Sequence, residues 1–550
     1  MATSSETAQR KEALIRRLPL LGFLLLAFVV LRTFGDYGVS WDEYFRWQGG
    51  EHKLLYYQSI LDGDWETVRE IRNQSDHYPG LFDLSLAVFR RAVPLSVPDS
   101  GHLWVALFGL VGVVGTYLAG KEIGGRWLGL LAAFFLVCTP RFWGHLFINP
   151  KDMPFAATFI LAIWALLRVL GRPERISWAS ALLFGGLAGC CMAVRIGGWL
   201  LFCYAGLFLG LQVLWSWRNE NWQKGVLIRE TLKLTRWLVV AAVPALLILL
   251  AFWPNAHRNP FEATAGSLAK VSSFGWRGKL FFNGSYFEPG DIPAHYLPQM
   301  LLVTLPDYFY ILLLSGIAVA ICWRERLAGF IASRHAGLLA ALAFSALFPI
   351  AYIIVRGSTV YDGIRHVLFV VPLVAIMSSY VALAAYRCFQ EINPRIGIAW
   401  LSILSIAVGV TVFDMVRLHP YQYTYFNRLS GGLPAADNVH DVEYWGTAYR
   451  EAVDIILADV PQPRGPVKVA ILPSSKAIFA QHDVLPQPPI AMVAFFLPEP
   501  FTLVGPDDNP DYRIGIHRFG FNEMLSGETV GVIERDGVEF ARVVRTPNDR

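Results

Sequence analysis

Residues 18–61 read LPLLGFLLLAFVVLRTFGDYGVSWDEYFRWQGGEHKLLYYQSIL, and the chain changes character twice within them. Residues 18–31 are almost wholly apolar. Basic residues precede them, as in a secretory signal, but no Ala-x-Ala cleavage site follows, so the segment reads as an uncleaved membrane anchor. From residue 38 onward charges, aromatics and helical apolar spacing take over. That pattern predicts a helix lying along the membrane surface, with Trp41, Tyr44 and Trp47 as interfacial anchors.

The same alternation continues through the chain. Of its 550 residues 54% are hydrophobic and 16% charged, against about 25% charged in an average soluble domain. About eleven apolar stretches approach the roughly 20 residues a span requires. They begin near Leu18, Leu103, Trp127, Phe155, Trp178, Trp199, Trp237, Tyr308, Gly337, Val367 and Ile398. A net charge of +4 is too weak to predict a nucleic-acid partner. The 6 cysteines fall in or beside apolar stretches and form no disulfide framework or Cys-x-x-Cys pair.

Arg10, Lys11, Arg16 and Arg17 precede the first span, and short basic connections recur on the same side, which makes that side cytoplasmic. Two long loops, residues 34–100 and 254–305, and everything after about residue 417 then lie outside. From Pro461 the tail changes again. VKVAIL, MVAFF, YRIGI and EFARVV read as short strands, Arg535-Asp536-Gly537 as a hairpin turn, and residues 449–460 as a helix. The expected architecture is an α-helical polytopic membrane domain, residues 1–417, followed by a small extracytoplasmic α/β domain, residues 418–550. No fixed-period internal repeat is present to support an inverted-repeat transporter.

Candidate chemistry gathers where spans meet the outer loops. Asp42 and Glu43 are the first acids after the first span, at a level where partial desolvation raises a carboxyl pKa and suits a general base. Adjacent helical residues point in different directions, so one is the base and the other a support. The plainer alternative is that both favour a helix N-terminus through its dipole. In TPRFWGHLFINPKDMPFAATF the chain turns at Asn149-Pro150 and re-enters after Lys151 and Asp152. Asp152 is a second acid facing the acceptor with Lys151 on a phosphate, or the two simply cap a helix. In YDGIRHVLFVVP, Arg365 and His366 sit at a span mouth, placed for a lipid phosphate, although Arg365 could equally snorkel or pair with Asp362. Arg195 is similar. Trp253, His257, Arg258, Trp276, Arg277 and Lys279 mix aromatics and cations in the later loop, which suits sugar and phosphate contacts or a membrane surface.

Other signals carry less. Residues 115–121 spell G-x-x-x-x-G-K, but Glu122 replaces the required Ser/Thr and no strand precedes it. Asp62-Gly63-Asp64 reads as a turn rather than a metal site.

Taken together, WDEYF after the first span, HYPGL in the first outer loop, NPKDMPF, YDGIRHVLFVVP, and HPYQYTYFNRLSGG followed by YWGTAYREAVDII resemble the GT-C glycosyltransferases. Those enzymes use polyprenyl-phosphate sugars, as in the protein O-mannosyltransferase and aminoarabinose-transferase type. The resemblance implies a GT-C-like membrane domain, Asp42 as catalytic acid of the first loop, Asp152 as the second-loop acid, and outer loops that form the substrate cavity. His77, Lys151, Arg258, Arg365 and His366 are the substrate-binding candidates beside Asp42, Glu43 and Asp152.

The expected activity is inverting transfer of a sugar from a polyprenyl-phosphate donor to an acceptor hydroxyl on a protein or glycolipid, at the outer face of a bacterial plasma membrane. The sequence assigns no cofactor and leaves metal dependence open, since an acid pair can ligate a divalent cation. Two competitors are a lipid-linked sugar flippase or transporter, which would place ionisable groups near the midplane of broken helices, and a non-catalytic membrane subunit.

Overall fold

The structure, a computed structural model, describes residues 2–73, 78–272, 278–463, 465–472 and 492–547. Among the described residues, eight helices are long and apolar enough to cross a bilayer: Arg17–Asp36, Val97–Gly124, Asp152–Leu170, Ile196–Asn219, Lys224–Ala251, Arg334–Arg356, Arg365–Ile392 and Pro394–Arg417. Two apolar pairs are bent instead, Arg126–Val137 with Pro140–Ile148 by 72° and Tyr296–Thr304 with Asp307–Cys322 by 100°. The remaining expected span is the helix Trp178–Val194, whose 17 residues fall short of a full crossing. The chain is a multi-pass membrane protein, with eight to ten candidate spans where apolar runs alone suggest about eleven.

Proline sets both bends. A residue before proline is pushed out of the helical region; Thr139 (ψ 106°) precedes Pro140, and Leu305 (ψ 138°) precedes Pro306. The first bend turns Pro140–Ile148 into the interior, where all nine of its residues are buried. That helix delivers the chain to Asn149 and the turn that starts the next span.

The short helix Trp178–Val194 is held against Lys224–Ala251 by backbone contact. A Cβ at Gly185 would lie 2.0 Å from the Ala241 carbonyl oxygen, so only glycine permits this approach. Close packing of small residues is how helices associate where lipid removes the hydrophobic drive.

After Arg417 the chain folds back over the start of the molecule. Arg450 donates to the Tyr37 carbonyl at 2.9 Å, and the Tyr37 ring stacks on Phe147 at 4.2 Å. Beyond a hairpin of β1 (Leu280–Phe282) and β2 (Ser285–Phe287) in the later loop, the tail forms a five-stranded sheet. Its strands are β3 (Val467–Leu472), β4 (Phe501–Leu503), β5 (Tyr512–Ile516), β6 (Glu528–Arg535) and β7 (Val538–Arg545), in the order β4-β3-β5-β7-β6. β3 is parallel to β4 and β5; β7 is antiparallel to β5 and β6. The β6–β7 turn has positive φ at Asp536 (52°) and Gly537 (79°), matching the right-handed twist of the hairpin. The helix Tyr449–Asp459 packs on this sheet.

One expected strand is a correction. Residues 492–494 of MVAFF form a helical turn, closed by the Phe496 N–H on the Val493 carbonyl at 3.0 Å. Met492 and Val493 are both buried, whereas a strand would send neighbours to opposite faces. A short apolar run does not distinguish the two structures.

Candidate active site

The helix Trp41–Asp62 is anchored at its first turn. The Ser40 N–H donates to Glu43 Oε2 at 2.7 Å, while the Ser40 hydroxyl donates to the Ile148 carbonyl at 2.7 Å. The second bond ties this helix to the end of Pro140–Ile148, immediately before Asn149. There the Asn149 Oδ1 accepts the N–H groups of Asp152 (2.8 Å) and Lys151 (3.2 Å), and its Nδ2 donates to Asp152 Oδ2 at 3.0 Å. Two polar caps, from segments far apart in sequence, therefore bring Asp42, Lys151 and Asp152 to one place.

Arg365 joins them. Its Nη1 lies 3.1 Å from Asp42 Oδ2, its Nε 3.7 Å from Asp152 Oδ2, and Nη1 is also 3.3 Å from Asp362 Oδ2. Lys151 Nζ donates to Asp42 Oδ1 at 2.9 Å, and Arg195 pairs with Asp152. The turn that presents Arg365 has positive φ at Asp362 (57°) and Gly363 (69°). Aspartate tolerates that region better than most side chains. The Gly363 N–H donates to the Tyr296 hydroxyl at 2.9 Å, and a Cβ there would lie 2.5 Å from the buried Arg141 guanidinium. The Arg365 guanidinium sits over Tyr361 (5.0 Å) and Trp445 (5.3 Å).

The site sets Lys151, Arg195 and Arg365 against Asp42, Asp152 and Asp362, and Asp362 is shared with Arg518, which also faces Asp441 and Glu443. Lys151, Arg195 and Arg365 thus lie together among groups mostly shielded from water, a chemistry suited to an anion. Such charges are worth more here than in bulk solvent.

The Asp42 carboxyl corrects the sequence expectation of a raised pKa. Burial does act upward and is the largest influence, but the charges of Lys151 and Arg365 outweigh it and hold the group well below the usual carboxylate range. The same cations reach Tyr78 of HYPGL. Its ring lies 5.6 Å from Lys151 and 5.0 Å from Arg46, and Arg46 is itself fixed by Asp83 at 3.0 Å. Burial raises the Tyr78 phenol, yet Lys151, Arg195 and Arg46 together bring it below its ordinary value.

Of the expected site residues, Asp42, Asp152, Lys151 and Arg365 converge. His366 lies beside them, packed edge-on to Tyr361 at 4.8 Å, with its buried Nδ1 lacking a hydrogen-bond partner among the described residues. Glu43 points elsewhere. It is fully buried, accepts from Ser40, and faces His102 Nε2 at 3.3 Å. Arg258 is exposed after the short turn Pro254–His257, and none of these acids is among its ion-pair partners within the described residues. His77, Trp276 and Arg277 lie outside the described residues.

Sequence reasoning missed Tyr78, Trp445, Asp362 as a hub and Arg518. Tyr78 and Trp445 stand inside quoted motifs, so their motifs gave a signal; Arg518, in a polar loop of the tail, gave none. The residues do not fit a divalent cation. Lys151, Arg195 and Arg365 already occupy the faces of Asp42 and Asp152, and among the described residues no three His, Cys, Asp or Glu side chains are grouped so as to hold a metal ion.

These features define a multi-pass membrane protein with an ion-paired site at the ends of its spans. No protein-family profile matches the chain. It is 31% identical over 212 residues to dolichyl-phosphooligosaccharide-protein glycotransferase 1 of Pyrococcus horikoshii, covering 37% of this chain and 21% of that protein. It is 28% identical over 202 residues to dolichyl-monophosphooligosaccharide–protein glycotransferase AglB of Haloferax volcanii, covering 31% and 19%. The chain thus spans about a fifth of the length of the curated relatives it matches. Among solved structures, ArnT of Cupriavidus metallidurans bound to undecaprenyl phosphate aligns over 96% of this chain and 98% of that one, with 13% identity and a TM-score of 0.48. AglB of Archaeoglobus fulgidus, in complex with an inhibitory peptide and a dolichol-phosphate, aligns over 90% and 69%, with 11% identity and a TM-score of 0.47.

Proposed function

We propose that the chain is a GT-C-type membrane glycosyltransferase that moves a sugar from a polyprenyl-phosphate donor to an acceptor hydroxyl. The observation that carries this reading is the convergence of Asp42 and Asp152 on Arg365, beside Lys151, where spans end. A lipid-linked donor keeps its chain among acyl tails while its phosphate and sugar emerge at that level. The sequence relatives, whose names specify dolichyl-phosphate-linked saccharide donors and protein acceptors, agree with it. We assign residues 1–417 to the membrane catalytic domain and residues 418–550 to an outer domain. We assign the N-terminus to the cytoplasm and the site to the extracytoplasmic face of a bacterial plasma membrane; the short basic connections support that orientation. The acceptor belongs to a protein or a glycolipid.

Arg365 and Lys151 receive the donor phosphate, and Arg195 and His366 border it. The acceptor oxygen attacks the anomeric carbon as the bond from that carbon to the phosphate oxygen breaks. The electron pair leaves with the lipid phosphate, and Asp42 takes the acceptor proton. One in-line displacement inverts the anomeric centre.

The cations that receive the phosphate are those that suppress the basicity of Asp42. A phosphate sharing Lys151 and Arg365 weakens their hold on Asp42, so its pKa rises toward the range of a useful base once the donor is bound. Asp152, fixed by Asn149 and Arg195, keeps Arg365 in place. The test is a liposome assay with a panel of radiolabelled polyprenyl-phosphate sugars and both acceptor classes. Sugar transfer to an acceptor supports the reading; accumulation of solute or flipped lipid without transfer overturns it in favour of a transporter.

A further inference from the structure

Asp362 and Asp42 compete for one nitrogen. Arg365 Nη1 lies 3.1 Å from Asp42 and 3.3 Å from Asp362, so the share of its charge available to Asp42, or to an incoming phosphate, depends on what else satisfies Asp362. Two groups do. Trp445 Nε1 donates to Asp362 Oδ2 at 3.2 Å, and Arg518 Nη2 donates to Asp362 Oδ1 at 2.9 Å. Arg518 comes from the tail, just beyond β5. It is only 8% exposed, and its other arm donates to the Tyr444 carbonyl, next to Trp445. The YWG loop is clamped in turn by Glu443, which accepts the Gly446 N–H at 3.1 Å and the Thr447 N–H at 2.9 Å.

We infer that Arg518 is a positioning residue through which the tail domain sets the donor-phosphate affinity of the site, by neutralising Asp362 and so releasing Arg365. This rests on the polyprenyl-phosphate reading above. Without Arg518, a buried Asp362 would hold Arg365 as its remaining cation and draw it from Asp42. The tail is then part of the anion site although it contributes no group that touches the donor.

Competition predicts a rescue that simple loss of packing does not. Binding of undecaprenyl phosphate to the full chain in detergent would be followed by tryptophan fluorescence, with thermal melting of each variant as a check on folding. Arg518→Gln should weaken binding about tenfold. Asp362→Asn added to Arg518→Gln removes the uncompensated charge while keeping an oxygen for Trp445. The double variant should return to within about threefold of wild type. Arg518→Gln binding like wild type, or a double variant as weak as Arg518→Gln or weaker at unchanged melting temperature, overturns the inference. If Arg518→Gln does not fold, Arg518→Lys, which keeps the charge but loses the fork to Tyr444, should still bind within about threefold of wild type; a loss beyond that overturns it. Wild-type protein that does not bind undecaprenyl phosphate refutes the donor assignment instead, so the two failures are separable.

Discussion

Asp42→Asn separates the proposed base from the proposed anion site. The carboxylate lies 2.9 Å from Lys151 and 3.1 Å from Arg365. At the effective dielectric of about 20 that describes such sites, each contact is worth roughly 5–6 kcal/mol of gross attraction, much of it offset by desolvation. Removing the charge leaves Arg365 with Asp152 and Asp362, but leaves Lys151, 15% exposed, without its acid. The site gains one unit of positive charge. A lipid phosphate should therefore bind the variant at least as tightly as wild type, while turnover, deprived of its proton acceptor, falls by about 10²–10⁴-fold. The assay is transfer of labelled sugar in liposomes, paired with undecaprenyl phosphate binding and a melting curve. Turnover within about tenfold of wild type would refute Asp42 as base. Loss of binding together with turnover would refute the charge balance assigned to the site.

Three further outcomes follow from the geometry. Asp42 is held below the usual carboxylate range in the free protein, so its negative charge should be lost only in strong acid; kcat/KM, which reads the free enzyme, should show no Asp42 limb above about pH 4. In kcat the acid limb should lie at higher pH, because bound phosphate shares Lys151 and Arg365; coincident limbs would count against donor-linked activation. Glu43→Gln keeps an oxygen for the Ser40 N–H, so kcat should stay within about threefold of wild type, and a hundredfold loss would make Glu43 the base. Gly185→Val must push a side chain into the Ala241 carbonyl, 2.0 Å from its Cβ. It should cost about 1–3 kcal/mol of stability, read as a lower melting temperature in detergent.

Much of the membrane architecture was legible because each apolar run is its own signal. The two bends were readable in principle at Pro140 and Pro306, since a residue before proline leaves the helix. The acids and cations of the site were legible as positions: Asp42, Lys151, Asp152 and Arg365 each stand where an apolar run meets a charged loop. Their partners were not. Lys151 and Asp42 are 109 residues apart, and no local pattern encodes that Ser40 would bond Ile148 and bring them together. Arg518 was wholly invisible, because a single arginine in a polar loop resembles every other. The choice between Asp42 and Glu43 had the same cause. Adjacent on one helix, they diverge, and only Ser40 and His102 show which one turns inward.

The reversed sign of the Asp42 shift shows what kind of information a sequence omits. Depth in the membrane edge is a local property, readable from the distance to the nearest span, and taken alone it raises a carboxyl pKa. Counter-charge is not local. Opposite charges within about 4–6 Å lower a carboxyl pKa by 1–3 units, and here Lys151 and Arg365 supply two of them from other segments. A carboxylate held this way is weakly basic until something takes its cations away. Under the proposed function this has a chemical consequence: water and stray hydroxyls meet a weakly basic Asp42 in the empty site, and basicity develops when the donor phosphate arrives. The desolvation that seemed to create the base thus acts as the threshold against which donor binding works, and Arg365, shared among three carboxylates, is the group through which that change passes.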